Sequence, residues 1–231
     1  MSPQRNRLEG RWLDAALHLL DRQVLDVDGR MVCNVDDLEL TESAGGELAV
    51  TGLLVGPAAL WPRFSGRLGR RLREAWFRLG VQYADRSTPM YLGLELVEHV
   101  GSDVRIRVHR DGVLDRQPRS GPGVVQRRMD DLLGMDVLRE GERLGHVLDV
   151  RLEPRRAASR LLVTGLVVGR GNPGSLLGYD RGDFNGPVLV DRVVSWLHRH
   201  TVLAPFESVA RVDWDAGTVE VTGPVTALRT T

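Results

Sequence analysis

Short apolar runs that alternate with polar residues or stop at glycine dominate the chain, and they predict strands more often than helices. Met31, Cys33 and Val35 alternate with Val32 and Asn34, and with residues 36–40 they predict a strand after an Asp-Gly turn at Asp28-Gly29. Residues 48–57 (LAVTGLLVGP) and 161–170 (LLVTGLVVGR) are short, rich in β-branched side chains and bounded by glycine, which suits buried strands. Residues 210–212 and 218–221 flank the turn sequence Asp213-Trp214-Asp215-Ala216-Gly217 and predict a hairpin. Two stretches change period. Leu68, Leu72, Trp76 and Leu79 fall on one helical face, as do Val190, Val193, Val194 and Leu197. Residues 109–128 are rich in Gly, Pro and charge without any period, which reads as a linker.

The strand runs are copies of one another. LAVTGLLVGP and LLVTGLVVGR agree at seven of ten positions without a gap. Upstream, residues 26–40 align with 138–152, which pairs Gly29 with Gly141, Val35 with Val147, Asp37 with Asp149 and Leu40 with Leu152. Downstream, residues 94–108 resemble 208–223 as strand, turn and strand. The chain therefore reads as a tandem duplication of a mostly β unit with one helical insert in each copy.

A short strand of the form V-x-D-x-D-G-x-x-V-x-x-V-x-D-L-x-L, then V-T-G-L-x-V-G and a closing hairpin, resembles the PRC-barrel family. That small β-barrel is named after the photosynthetic reaction-centre H subunit and also ends the bacterial ribosome-maturation factor. Asp37-Leu38-Glu39-Leu40 and Asp149-Val150-Arg151-Leu152 fall at equivalent places in the two copies. The resemblance implies a mainly β fold with helical inserts, as two tandem small barrels each with one helix packed against it. It divides the chain into an N-terminal extension (1–14), a first barrel (15–108), a linker (109–128), a second barrel (129–225) and a tail (226–231). It also implies a binding or adaptor role without catalysis. Two departures limit the transfer: this sequence has neither the membrane helix of the reaction-centre subunit nor the domain that precedes the barrel in the ribosome factor.

Composition narrows the classes further. Apolar residues make up 42% of 231, which is a globular composition. No apolar run approaches the ~20 residues of a spanning helix. The polar start MSPQRNRLEGRW has no hydrophobic signal core, and Cys33 is the single cysteine, so a cytoplasmic protein without disulfides is the expectation. The 31 basic residues, all arginine, balance 31 acidic ones. That balance argues against a long phosphate backbone as the main partner, and the lack of lysine excludes Schiff-base and phosphate-loop lysine chemistry.

The candidate motifs mostly reduce to structure. Gly169, Gly171 and Gly174 spell G-x-G-x-x-G after an apolar run, yet Gly178, Gly182, Gly186 and Pro187 prevent the helix that a dinucleotide loop requires, and the equivalent stretch after Gly56 has no such pattern. No cofactor is expected. His198 and His200 are two residues apart and point to different helical faces, so no metal site is expected there. Asp26-Val27-Asp28-Gly29 and Asp213-Trp214-Asp215 resemble fragments of calcium loops without their distal ligands, and read as turns. No nucleophile–base set is apparent, so no enzyme is expected and no catalytic residue is named.

The insert at residues 60–79 stands apart. It combines Trp61, Phe64, Trp76 and Phe77 with Arg63, Arg67, Arg70, Arg71, Arg73 and Arg78. Its apolar face is expected to pack on its own barrel, leaving Arg63, Arg67, Arg70, Arg71 and Arg78, with Trp61 and Phe64, as the candidate partner contacts. A protein partner is the first expectation. RNA or a ribosomal particle, and a peripheral scaffold on an anionic membrane surface, are the alternatives.

Overall fold

The computed structural model describes residues 6–56, 59, 89–118, 121, 123–155, 160–170 and 201–228. They are mainly β with few helices, and divide into two compact units. Unit 1 comprises Met1–Leu13, His18–Asp130 and Pro154–Leu162, and unit 2 comprises Asp14–Leu17, Asp131–Glu153 and Val163–Thr231. Both helical inserts expected from the sequence, at residues 60–79 and around Val190 to Leu197, lie outside the described residues.

In chain order the first repeat runs β1 (Leu13–Asp14), α1 (Ala15–His18), β2 (Gln23–Leu25), β3 (Met31–Asn34), β4 (Asp37–Ser43), β5 (Leu48–Val55), β6 (Met90–Gly93), β7 (Val97–Val100), β8 (Val104–Ile106) and β9 (Asp115–Arg116). The second runs β10 (Val124–Arg128), α2 (Met129–Leu132), β11 (Asp136–Arg139), β12 (Glu142–Arg155), β13 (Arg160–Gly169), β14 (Val202–Pro205), β15 (Val209–Asp213), β16 (Thr218–Val221) and β17 (Thr226–Ala227).

Within unit 1 the expected turn forms where the sequence placed it. Asp26 Oδ1 accepts from the amides of Asp28 and Arg30 while Gly29 takes φ +74°, so the chain reverses between β2 and β3. β2 also pairs with β8 in parallel, and β7 completes a four-stranded sheet in the order β3-β2-β8-β7. The longer hairpin β4–β5 carries the buried run: of β5's eight residues only Thr51 is not buried, and Leu53 and Leu54 are sealed from solvent. β5 receives β6 at Gly52 to Val55, and Leu161 and Leu162 at its other end.

Unit 2 repeats these pairings. β11 is antiparallel to β12 and parallel to β16, as β2 is to β3 and β8. β14 lies antiparallel on β13 as β6 does on β5, and β17 lies on β14 as β9 does on β6. A 3-10 turn follows in each copy, at Leu94–Leu96 and at Phe206–Ser208, so Leu94 corresponds to Phe206 and not to Ser208. The duplication therefore extends into residues expected to be linker (β9) and tail (β17). β10 is a strand as well, paired with β4 from Val124↔Ser43 to Arg128↔Glu39. Among the described residues no strand pairing closes a barrel.

Each repeat sends its lead-in to the other repeat's sheet. β10 pairs with β4, and β1 pairs with β12. A buried aspartate receives the helix that follows. In unit 1 Asp37 Oδ1 accepts from the Asp130 amide of α2 at 3.2 Å. In unit 2 Asp149 accepts from the α1 amides of Ala16 at 2.7 Å and Leu17 at 3.1 Å. These are side-chain caps on helices of one turn, whose amides have no partners within the helix.

Candidate functional site

The candidate contact residues Trp61, Phe64, Arg63, Arg67, Arg70, Arg71 and Arg78 all lie outside the described residues. What the described residues bring together is a cleft of about 230 Å³ in unit 1. Three separate segments build it. The first is the 3-10 turn Arg7–Glu9, capped by Asn6, whose Oδ1 accepts from Leu8 N at 3.2 Å and Val100 N at 3.1 Å and whose amide donates to the Glu98 carbonyl at 3.0 Å. The second runs from Leu94 through β7 to Arg107, and the third is formed by Pro154, Arg155, Arg160 and Leu161.

Its lining has a definite chemistry. Leu8, Leu94, Val97 and Leu161 supply apolar surface, and Leu94 and Leu161 are buried beneath it. Glu9, Glu95 and Glu98 contribute carboxylates, while Arg107, Arg155 and Arg160 contribute guanidinium groups. Arg160 is engaged with Glu47 at 3.2 Å. Glu98 and Arg107 are exposed and form no side-chain hydrogen bond or ion pair among the described residues, so their charges are available to a ligand. Such an arrangement can bind, since a small apolar surface bordered by both charge signs suits a polypeptide.

Beside the cleft's strands lies a buried polar cluster. Glu39, 2% exposed, accepts from Thr51 Oγ1 at 2.8 Å, Gln117 Nε2 at 2.6 Å and Gln126 Nε2 at 3.1 Å. Tyr91 donates its hydroxyl to the Thr51 carbonyl at 2.9 Å, and its ring covers Gly52, where a Cβ would meet it. Burial, then the nearby carboxylates of Glu39 and Glu95, push the Tyr91 phenol up to about 12. The cluster is closed by its own hydrogen bonds and works as structure.

The buried aspartates are likewise structural. Burial pushes both carboxyls up to about 7. At Asp37 the Leu38 amide opposes burial, the Asp130 carboxylate adds to it, and the Arg128 charge and Asp130 amide work against it. At Asp149 the amides of Ala16, Val150 and Leu17 oppose burial and the Asp14 carboxylate adds to it.

Asp26, Asp28 and His109 bring ligand atoms within 4.8 Å of one another. Their chemistry fits a turn lock better than a metal. Asp26 is occupied by the amides of Asp28, Arg30 and Arg110, and Asp28 faces His109 at 3.2 Å and Arg30 at 3.7 Å. Burial works to raise Asp26, but the amides of Arg30, Arg110 and Asp28 with the Arg30 charge hold it below the usual carboxylate value.

The repeated glycines differ in role. Gly56 takes φ +97° and donates its amide to Asp36 at 2.6 Å, whereas Gly169 packs so tightly that a Cβ would sit 2.6 Å from Leu148 Cδ1. Gly171 and Gly174 lie outside the described residues. The cleft residues Glu98 and Arg107 read in the sequence only as hairpin positions. The one signal available was a charged side chain on each strand of a hairpin that also carried an apolar face.

No family model matches this sequence, and no curated protein matches it. Among the described residues no helix is long and apolar enough to cross a membrane.

Proposed function

We propose that the protein is a non-enzymatic adaptor built from two related β units of PRC-barrel type, and that the cleft of unit 1 takes a segment of a partner protein. The observation that carries this reading is the unengaged pair Glu98 and Arg107 beside the apolar surface of Leu8, Leu94, Val97 and Leu161. The segment it fits is extended and carries an apolar side chain between a basic and an acidic residue. RNA and an anionic membrane both present repeated negative charge and call for a basic excess, whereas Glu9, Glu95 and Glu98 balance Arg107, Arg155 and Arg160 at this surface. The repeated element order supports a tandem arrangement of two small barrels.

A photo-crosslinker in place of Leu8 tests the assignment in the native cell. The expected adduct is a polypeptide whose crosslinked segment carries both charges around an apolar residue, with capture falling about tenfold in Glu98→Arg and in Arg107→Glu. Adducts to RNA or lipid alone, or equal capture by both charge reversals and the parent, overturn the reading.

A further inference from the structure

The exchange of lead-ins raises a specificity problem, because the two repeats present the same pairings and each lead-in has two similar sheets on which to dock. Side chains at one equivalent pair of positions differ in sign. In unit 2, Asp14 lies directly before α1 and Arg151 lies two residues after the buried Asp149. In unit 1, Arg128 lies directly before α2 and Glu39 lies two residues after the buried Asp37. Asp14 and Arg128 are thus equivalent, and so are Arg151 and Glu39.

We infer that these four residues form a charge key that selects the exchanged pairing of lead-ins over the direct one. The Asp14–Arg151 pair is bidentate, with Nε donating to Oδ1 at 2.8 Å and an Nη to Oδ2 at 3.1 Å, and both side chains are only 13% exposed. Arg128 is the Cα partner of Glu39 in the β10–β4 register. The two lead-in charges act on their capping aspartates with opposite sign: Arg128 lowers the Asp37 carboxyl, and Asp14 raises that of Asp149.

The direct pairing breaks the Asp14–Arg151 pair and replaces the opposite charges facing each other at Arg128 and Glu39. It sets Asp14 against Glu39 and Arg128 against Arg151, two like-charge contacts in a setting where the native sites are largely shielded from water. A buried charge without its opposite partner is among the more costly defects a fold can hold. Capping does not discriminate, since both sheets offer an aspartate at the same place. The charge pair is what differs.

The test uses the full chain. Asp14→Arg and Arg151→Asp are each expected to lower Tm by on the order of 10 °C, and the double variant to recover most of that loss. Separately, cysteines at Val124 and Ser43, Cα partners across β10 and β4, report the exchanged pairing as a disulfide located by peptide mapping. The disulfide is expected to form in the parent and to fall roughly tenfold in yield when Asp14→Arg and Arg128→Asp are combined, which makes the direct pairing the matched one. A double variant no more stable than the two single losses added together overturns the inference. So does an undiminished disulfide in a folded Asp14→Arg/Arg128→Asp protein, and if that protein does not fold the stability cycle decides alone.

Discussion

Replacing Asp149 by asparagine probes the cap of unit 2 at the level of single atoms. Oδ1 serves the amides of Ala16 at 2.7 Å and Val150 at 2.6 Å, and Oδ2 serves Leu17 at 3.1 Å. Asparagine keeps Oδ1 for the first two and turns an NH₂ toward the third, a donor against a donor, costing about 1–2 kcal/mol. The charge works the other way. Burial lifts the folded carboxyl from 3.8 to about 7, above its unfolded value. Its contribution to stability is therefore fully present below pH 4 and is lost as pH rises through about 7. The whole interval is worth on the order of 4 kcal/mol, of which about 3 falls between pH 5 and pH 8. Asparagine does not titrate. Urea denaturation followed by circular dichroism is expected to show Asp149→Asn less stable than the parent at pH 5, with the difference moving by about 3 kcal/mol in the variant's favour by pH 8. A difference that stays constant, or that widens against asparagine as pH rises, refutes the reasoning and assigns the three amides the dominant role.

Three further outcomes follow from particular contacts. Gly145→Ala places a Cβ 2.5 Å from the Gly169 carbonyl oxygen, a backbone atom that side-chain rotation does not relieve, and is expected to cost about 3 kcal/mol in the same denaturation assay. Gly45→Ala, whose Cβ meets only Ser43 Oγ at 3.8 Å, is its control and is expected to fall within about 0.5 kcal/mol of the parent. The Cys33 thiol is buried, and burial with the Asp36 carboxylate pushes it up to about 12, so a thiol reagent at pH 8 is expected to leave the native protein unmodified and to label it fully in denaturant.

The strands and the duplication were legible because they are local. The V-T-G-L runs carry their own burial, and the Asp28-Gly29 turn carries its own capping atoms in Asp26. The lead-in exchange was not legible, because β1 is two residues long and β10 five, too short for a period to show. In β10, Val124 and Val125 are both exposed and no alternation exists, so residues that the Gly- and Pro-rich surroundings marked as linker are a strand only by pairing with β4. The caps were half visible. Alignment paired Asp37 with Asp149, but only tertiary structure shows that each receives amides from the other repeat's helix. The cleft escaped the sequence for the same reason, since Leu8, Glu98 and Leu161 are brought together by folding.

The central claim is a duplicated β unit whose lead-ins are exchanged, and backbone NMR of the unmodified protein tests it most directly. Cross-strand NOEs are predicted between residues 124–128 and 39–43 in the register Val124↔Ser43 to Arg128↔Glu39, together with NOEs from the Ala16 and Leu17 amides to the Asp149 side chain. NOEs that instead connect the Ala16 and Leu17 amides to Asp37, or residues 124–128 to β12, would contradict the exchange and the account built on it.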